Sequence, residues 1–304
     1  MGEIHYQDAF VNIRGLRLHY LDYGGEGETV VALHGLIQNA HAFDCIAPLL
    51  TPHVHLIALD LRGRGESDWG PAEMYRMPEY VADLTALLAR LKIDRLAFIG
   101  TSLGGVLARL YTTAHPERVG KLVLNDAAIG GNIAGTCRVA KRPSTAPKEF
   151  ADWNDAISWF RAGHDGLSRL DDATLRTWIG HYLAPDTQNG LRFRCDPAVI
   201  ERASKAADEL ASERGTRSAE ARRKVDWELA QRLVMPVLLL RGSLSDVILR
   251  ETADHFVSAV PIARCVDIPG SGHSPTLHEP EAQAALLEFF GVASDVLSHS
   301  AVAQ

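Results

Sequence analysis

The spacing of apolar residues changes period several times along the chain, and each change marks an element. Residues 8–23 (DAFVNIRGLRLHYLDY) alternate apolar and polar positions on both sides of Arg14-Gly15, the pattern of two half-buried strands joined as a hairpin. A short, fully apolar run, Thr29–Leu33, reads as a buried strand, and a helical stretch follows from about Asn39 to Leu50. The strand His55–Leu59 leads to an amphipathic helix over about Pro78–Leu91, with Tyr80, Leu84, Leu87, Leu88 and Leu91 on one face. Next come a strand at Arg95–Ile99, a helix at Ser102–Ala114 and a strand at Val119–Leu124. Strands apolar on both faces, alternating with helices, imply a parallel sheet covered on both sides.

The rhythm stops after Asn125 and resumes at Pro236–Leu240, followed by a helix at about Leu249–Ala259, a strand at Arg264–Ile268 and a helix at about Pro280–Phe290. The intervening residues show no convincing buried strand. They carry polar helical runs at Asp152–Arg161 and Asp171–Tyr182 and a highly charged run at Ile200–Lys224. An unstructured loop of that length would be out of keeping with a folded domain. The expected organisation is therefore an α/β core made of residues 1–129 and 233–304, interrupted by a helical insertion over 130–232, with a loose tail in the last dozen residues.

Composition narrows the function classes. The chain has 304 residues, 46% apolar and 23% charged, which suits a globular protein and excludes disorder. Lys and Arg number 31 against 38 Asp and Glu, a net charge of −7, which argues against nucleic acid and against a polybasic membrane anchor. No apolar run is long enough to cross a bilayer, and the N-terminal residues show no leader pattern. The cysteines Cys45, Cys137, Cys195 and Cys265 are widely spaced and form no CxxC, so neither a disulfide framework nor a zinc site is expected, and a reducing cytoplasm is the expected location. His53-Val54-His55 with Asp60 resembles a metal cluster only superficially, because alternate residues of a strand face opposite sides. No metal and no cofactor are expected.

The chemistry-bearing segments all follow strands. Gly100-Thr101-Ser102-Leu103-Gly104-Gly105 fits G-x-S-x-G between an apolar strand and a helix, the setting of a nucleophile elbow. Its glycines leave room for a tight turn that lifts the Ser102 hydroxyl clear of the sheet and aims the Leu103 N–H at an oxyanion. A serine needs a base to take its proton. His273, in the glycine-flanked loop Pro269–Pro275 after the last strand, is the candidate, since ligand sites in such sheets lie beyond the C-terminal strand ends. The carboxylate that orients it is expected to be Asp246, in Arg241–Asp246 after the strand Pro236–Leu240; Asp126, just past Leu124, is the rival. The second oxyanion donor is expected to be the Leu36 N–H in His34-Gly35-Leu36, with His34 bracing that loop. The charged loop Asp60–Asp68 reads as a structural turn, because its glycines open no helix.

Taken together, LHGL (Leu33–Leu36), LDLRGRGESD (Leu59–Asp68), IGTSLGG (Ile99–Gly105), LRGSLSD (Leu240–Asp246) and PGSGH (Pro269–His273) resemble the α/β-hydrolase superfamily, in its order and over about two-thirds of the chain. The resemblance implies an α/β-hydrolase fold, a mostly parallel eight-stranded sheet flanked by helices, with the insertion as a helical cap. It is to the capped branch of esterases, lactonases and carbon–carbon bond hydrolases. Serine at the elbow departs from the dehalogenase and epoxide-hydrolase pattern, which has aspartate there. The implied activity is ester hydrolysis through an acyl-enzyme with Ser102, His273 and Asp246 as triad, acting on a small-molecule ester. A lactonase or a C–C bond hydrolase acting on a ketone-bearing dienoate is the alternative, and a non-catalytic ligand-binding member is the third reading. The C–C enzymes of that family carry a more glycine-rich loop than His34-Gly35-Leu36-Ile37. Four of the five tryptophans fall in the insertion, and Trp153, Trp159 and Trp178 are candidates for the substrate pocket.

Overall fold

The computed structural model describes residues 4–185 and 190–292. Its main sheet uses β1 (Gln7–Ile13), β2 (Leu16–Gly24), β3 (Glu28–Leu33), β4 (Val54–Leu59), β5 (Leu96–Thr101) and β6 (Val119–Asn125) from the first half of the chain. After a long insertion, which contains the short strands β7 (Leu183–Pro185) and β8 (Leu191–Phe193), it resumes with β9 (Val237–Gly242) and β10 (Ala263–Ile268). The eight main strands lie in the order β1-β2-β4-β3-β5-β6-β9-β10. The hairpin β1–β2 joins β4 antiparallel, and every later pairing is parallel.

The central strands lack an alternating polar face because both faces are covered. Val31 and Leu33 of β3 pack into one apolar cluster, beneath α2 (Met77–Arg90), α3 (Leu103–Ala114) and α9 (Arg250–Ala259), through Leu84, Leu107 and Phe256. Val30 and Ala32 of the same strand face the other cluster, beneath α1 (Ala47–Leu50) and α10 (Pro280–Phe290), with Leu50 and Leu286. This is the period of two expected for a strand sandwiched between helices. Among the described residues no helix is long and apolar enough to cross a membrane.

Between β6 and β9 lie α4 (Ile133–Lys141), α5 (Trp153–Arg161), α6 (Asp172–Gly180), α7 (Pro197–Ala211) and α8 (Glu213–Ala230), together with the β7–β8 ribbon. The pattern of apolar residues did not signal that ribbon, since its strands are only three residues each. The insertion is tied to the core by side chains as well as packing. Phe150, Phe160, Trp178 and Tyr182 belong to the same apolar cluster as Val30 and Ala32. Tyr75 donates to Asp196 at 2.5 Å, Arg194 meets Glu66 at 2.6 Å, and Arg169 donates to the Pro269 carbonyl at 2.7 Å.

Two expected helices are broken. Residues 39–50 form a single 3-10 turn, Ala40–Phe43, and then α1. Pro48 has no N–H for the Asp44 carbonyl, so a continuous helix has lost a rung at that point. The charged run 200–224 breaks at Ser212, whose extended backbone and hydroxyl, accepting from the Gly215 N–H at 3.1 Å, cap the start of α8. The expected tail falls wholly outside the described residues.

Candidate active site

Ser102 sits on the turn from β5 into α3 with φ 50° and ψ −111°, a strained conformation for a residue with a side chain. Close packing holds the turn. A Cβ on Gly104 would lie 2.0 Å from the Leu33 carbonyl oxygen, so only glycine lets α3 approach the end of β3. Leu103, the first residue of α3, has an N–H with no acceptor one turn back, as at any helix start.

The Ser102 hydroxyl lies 2.7 Å from His273 Nε2, and His273 Nδ1 lies 2.6 Å from Asp126 Oδ2. Asp126 is ionisable and acceptor-rich, so Nδ1 carries the proton and the bare Nε2 faces the serine hydroxyl. Asp126 follows β6 directly, with φ 51°, a left-handed conformation that aspartate tolerates better than most residues. Its carboxylate is buried and filled by donors: the Gly242 N–H reaches Oδ1 at 3.1 Å, and the Ser245 hydroxyl reaches Oδ2 at 2.6 Å. Ser245 Oγ in turn accepts from the N–H groups of Val247 and Ile248 at 3.2 and 3.1 Å. The end of β9 and the loop after it thus contribute a backbone N–H and a serine to this chain of hydrogen bonds.

Asp246 makes no hydrogen bond with His273, which corrects the expectation that it orients the histidine. Its carboxylate faces outward and pairs with both forks of Arg138 on α4, at 2.5 and 2.6 Å. Arg138 holds that carboxyl below its usual range. The rival residue, Asp126, holds the position instead. Both aspartates follow strands that are neighbours in the sheet, so both lie near the histidine loop, and the direction of the side chain decides between them.

The loop bearing Leu36 is braced from beneath. His34 is fully buried; its Nδ1 donates to the Gly35 carbonyl at 2.7 Å and its Nε2 accepts from the Leu61 N–H at 3.0 Å, so the ring is neutral. Burial pulls its pKa down to about 4. Arg64, also fully buried, donates through Nε to the Leu36 carbonyl at 3.0 Å and through a second nitrogen to the Tyr80 hydroxyl at 2.7 Å. Asp60 accepts from His19 and from the Ala40 and Glu66 N–H groups. The charged loop 60–68 is accordingly a buried brace, as expected.

Ser102, His273 and Leu36 border a mostly apolar cavity of about 130 Å³, which adjoins an open cleft of about 610 Å³. Trp159 and Trp178 line the inner cavity. Trp153 does not; it packs on Gly180 and lies under the Arg176 guanidinium at 4.9 Å. Residues that the sequence did not single out complete the wall: Arg142, His164 and Tyr182. His164 Nε2 donates to the Ser274 carbonyl at 2.7 Å and its Nδ1 is buried without a hydrogen-bond partner, while the Trp178 and Tyr182 rings meet edge to face at 5.0 Å. Burial lowers the His164 pKa and favours the neutral ring.

Among the described residues one cluster has metal-ligand composition, His41, Asp44 and His181. Its imidazoles are stacked at 4.0 Å with 17° between planes, so their lone pairs run side by side and do not converge on one point. Asp44 takes hydrogen bonds from His41 and Tyr23, and the group is a polar clasp between core and insertion. His55 pairs with Asp22 at 2.8 Å, which leaves the His53–His55 pair structural. The four cysteines are free thiols.

The family model for the alpha/beta hydrolase fold matches residues 28–280. The chain belongs to that family. It is 28% identical over 282 residues to a 3-hydroxybutyrate-oligomer hydrolase of Cupriavidus necator, covering 90% of this chain and 92% of that one. It is 29% identical over 261 residues to a pimeloyl-[acyl-carrier protein] methyl ester esterase of Klebsiella pneumoniae, covering 85% and 91%. Among solved structures, an alpha/beta hydrolase from Novosphingobium aromaticivorans superposes with a TM-score of 0.83 at 30% identity, covering 95% of this chain and 99% of that one. The α/β-hydrolase fold expected from the motifs is thereby shown, and the relatives are hydrolases and esterases.

Proposed function

We propose that this hydrolase cleaves carboxylic esters through an acyl-enzyme on Ser102, with His273 as base and Asp126 as the carboxylate that orients it. His273 Nε2 takes the hydroxyl proton as Ser102 Oγ attacks the carbonyl carbon, and the negative charge builds on the carbonyl oxygen. The N–H groups of Leu36 and Leu103 receive that oxygen. His273 then returns its proton to the leaving alcohol, and a water activated by the same imidazole clears the acyl group. The observation that carries this reading is the unbroken hydrogen-bond chain from Ser102 Oγ through both nitrogens of His273 to a buried carboxylate, at the edge of a cavity. No cofactor enters the scheme.

The insertion serves in this reading as a cap, with 130–232 over the C-terminal strand ends and 1–129 and 233–304 as the catalytic core. Trp159 and Trp178 are its proposed substrate contacts. A fluorophosphonate probe and a panel of p-nitrophenyl esters, lactones and a dienoate test the proposal. Wild type should be labelled on Ser102 and should turn over esters, and Ser102→Ala should be neither labelled nor active while melting at nearly the same temperature. An alanine variant within about tenfold of wild type would remove Ser102 from the mechanism.

A further inference from the structure

The wall of the cleft nearest α4 carries three cations, Arg138, Lys141 and Arg142, in a chain whose net charge is −7. Two of them are matched by carboxylates. Arg138 is bidentate to Asp246, and Lys141 reaches Asp208 at 2.5 Å. Arg142 is the exception. Among the described residues no carboxylate lies within ion-pair distance of it. Its guanidinium is held by the Trp159 carbonyl, to which it donates, and by the Trp159 ring, 4.4 Å from the guanidinium carbon. It lies so close to the chain at Gly163 that a Cβ there would fall 1.6 Å from Arg142 Nε. A carbonyl and a ring fix the orientation of a guanidinium without neutralising it.

Arg142 borders the inner cavity together with Ser102 and also the outer cleft. The other charges at this rim are Arg138 and Lys141, both already paired, and Asp165 and Asp246 on the cleft side. A pre-oriented, half-buried arginine with donors to spare matches the planar fork of a carboxylate.

We propose that Arg142 is a carboxylate subsite, and that the substrates are esters whose acyl half bears a free carboxylate a few bonds from the scissile carbonyl. This rests on the ester-hydrolase reading and adds the chemical class of substrate to it. Trp159 acts as the positioning residue, since its ring and carbonyl aim the guanidinium.

The test compares the half-esters monomethyl succinate, glutarate and adipate with their neutral dimethyl esters, by methanol release, in wild type, Arg142→Gln and Arg142→Lys. Wild type should favour at least one half-ester over its diester by about 10- to 100-fold in kcat/KM, mainly through KM. Arg142→Gln should bring that ratio close to one, and Arg142→Lys should restore part of it as a point charge. A purely structural Arg142 would depress both esters alike and leave the ratio intact, which overturns the proposal. So does a wild type that labels on Ser102 and hydrolyses diesters as well as half-esters, a result that needs no variant and leaves the ester-hydrolase reading standing. Absence of both labelling and ester turnover removes that reading and this one together.

Discussion

Asp126 takes three donors, His273 Nδ1, the N–H of Gly242 at the end of β9 and the Ser245 hydroxyl, and has no solvent to replace any of them. Asp126→Asn puts an amide where all neighbours donate and favours the wrong tautomer of His273. The expected loss in kcat is roughly 10⁴-fold. Asp246→Asn only weakens a half-exposed pair with Arg138, and kcat should stay within a few-fold. Steady-state kinetics on one good ester decides between them, and a larger loss in Asp246→Asn would return the orienting role to Asp246. Ser102 and His273 were legible because glycines and strand ends surround both. The acid was not, because Asp126 and Asp246 each follow a strand and the pattern of apolar residues marks strand ends but not where a side chain turns. Arg142 gave no signal at all, since a single arginine in a polar helical run looks like solvated surface.

At the scale of elements, the loop after β3 depends on a histidine that must remain uncharged. A protonated His34 can no longer accept from the Leu61 N–H, and the loop that positions Leu36 loses a tie. Its folded pKa of about 4 lies below the unfolded value of about 6.5. The unfolded chain therefore binds the proton first, and the stability due to neutral His34 is complete above about pH 6.5 and is lost as pH falls toward 4. The magnitude is about 3 kcal/mol. His181, pulled down to about 4 by burial, adds a share of the same sign. Urea midpoints at pH 7.5, 5.5 and 4.5 should fall steeply in wild type and less steeply in His34→Gln; equal slopes would show that His34 is not a source of the acid sensitivity. The core elements were legible because a buried strand next to an amphipathic helix leaves two clear periods. The 39–50 segment was not, because its apolar residues keep helical spacing while Pro48 interrupts the ladder.

For the molecule as a whole, the insertion joins both apolar clusters of the sheet, through Val199 and Ala230 on one face and Phe160 and Trp178 on the other, so cavity lining and folding are not independent there. The tryptophans separate the two effects. Trp178 is buried and lines the cavity, whereas Trp153 packs away from it on Gly180. Trp178→Ala should shift the preference between short and long acyl chains by about 1–3 kcal/mol in kcat/KM. Trp153→Ala should lower the melting temperature and leave the preference unchanged. Ester-series profiles and melting curves of the two variants check this, and a common profile would merge their roles.

The pairing of Asp246 with Arg138 has a bearing on how such a chain can diversify. The loop after β9 hands its serine inward to the buried carboxylate and its aspartate outward to the insertion. In the proposed scheme, the support of the orienting carboxylate and the latch on the cleft wall therefore reside on adjacent residues, Ser245 and Asp246, with separate partners. Substitutions at position 138 or 246 can loosen or tighten the rim while the relay beneath keeps every one of its bonds.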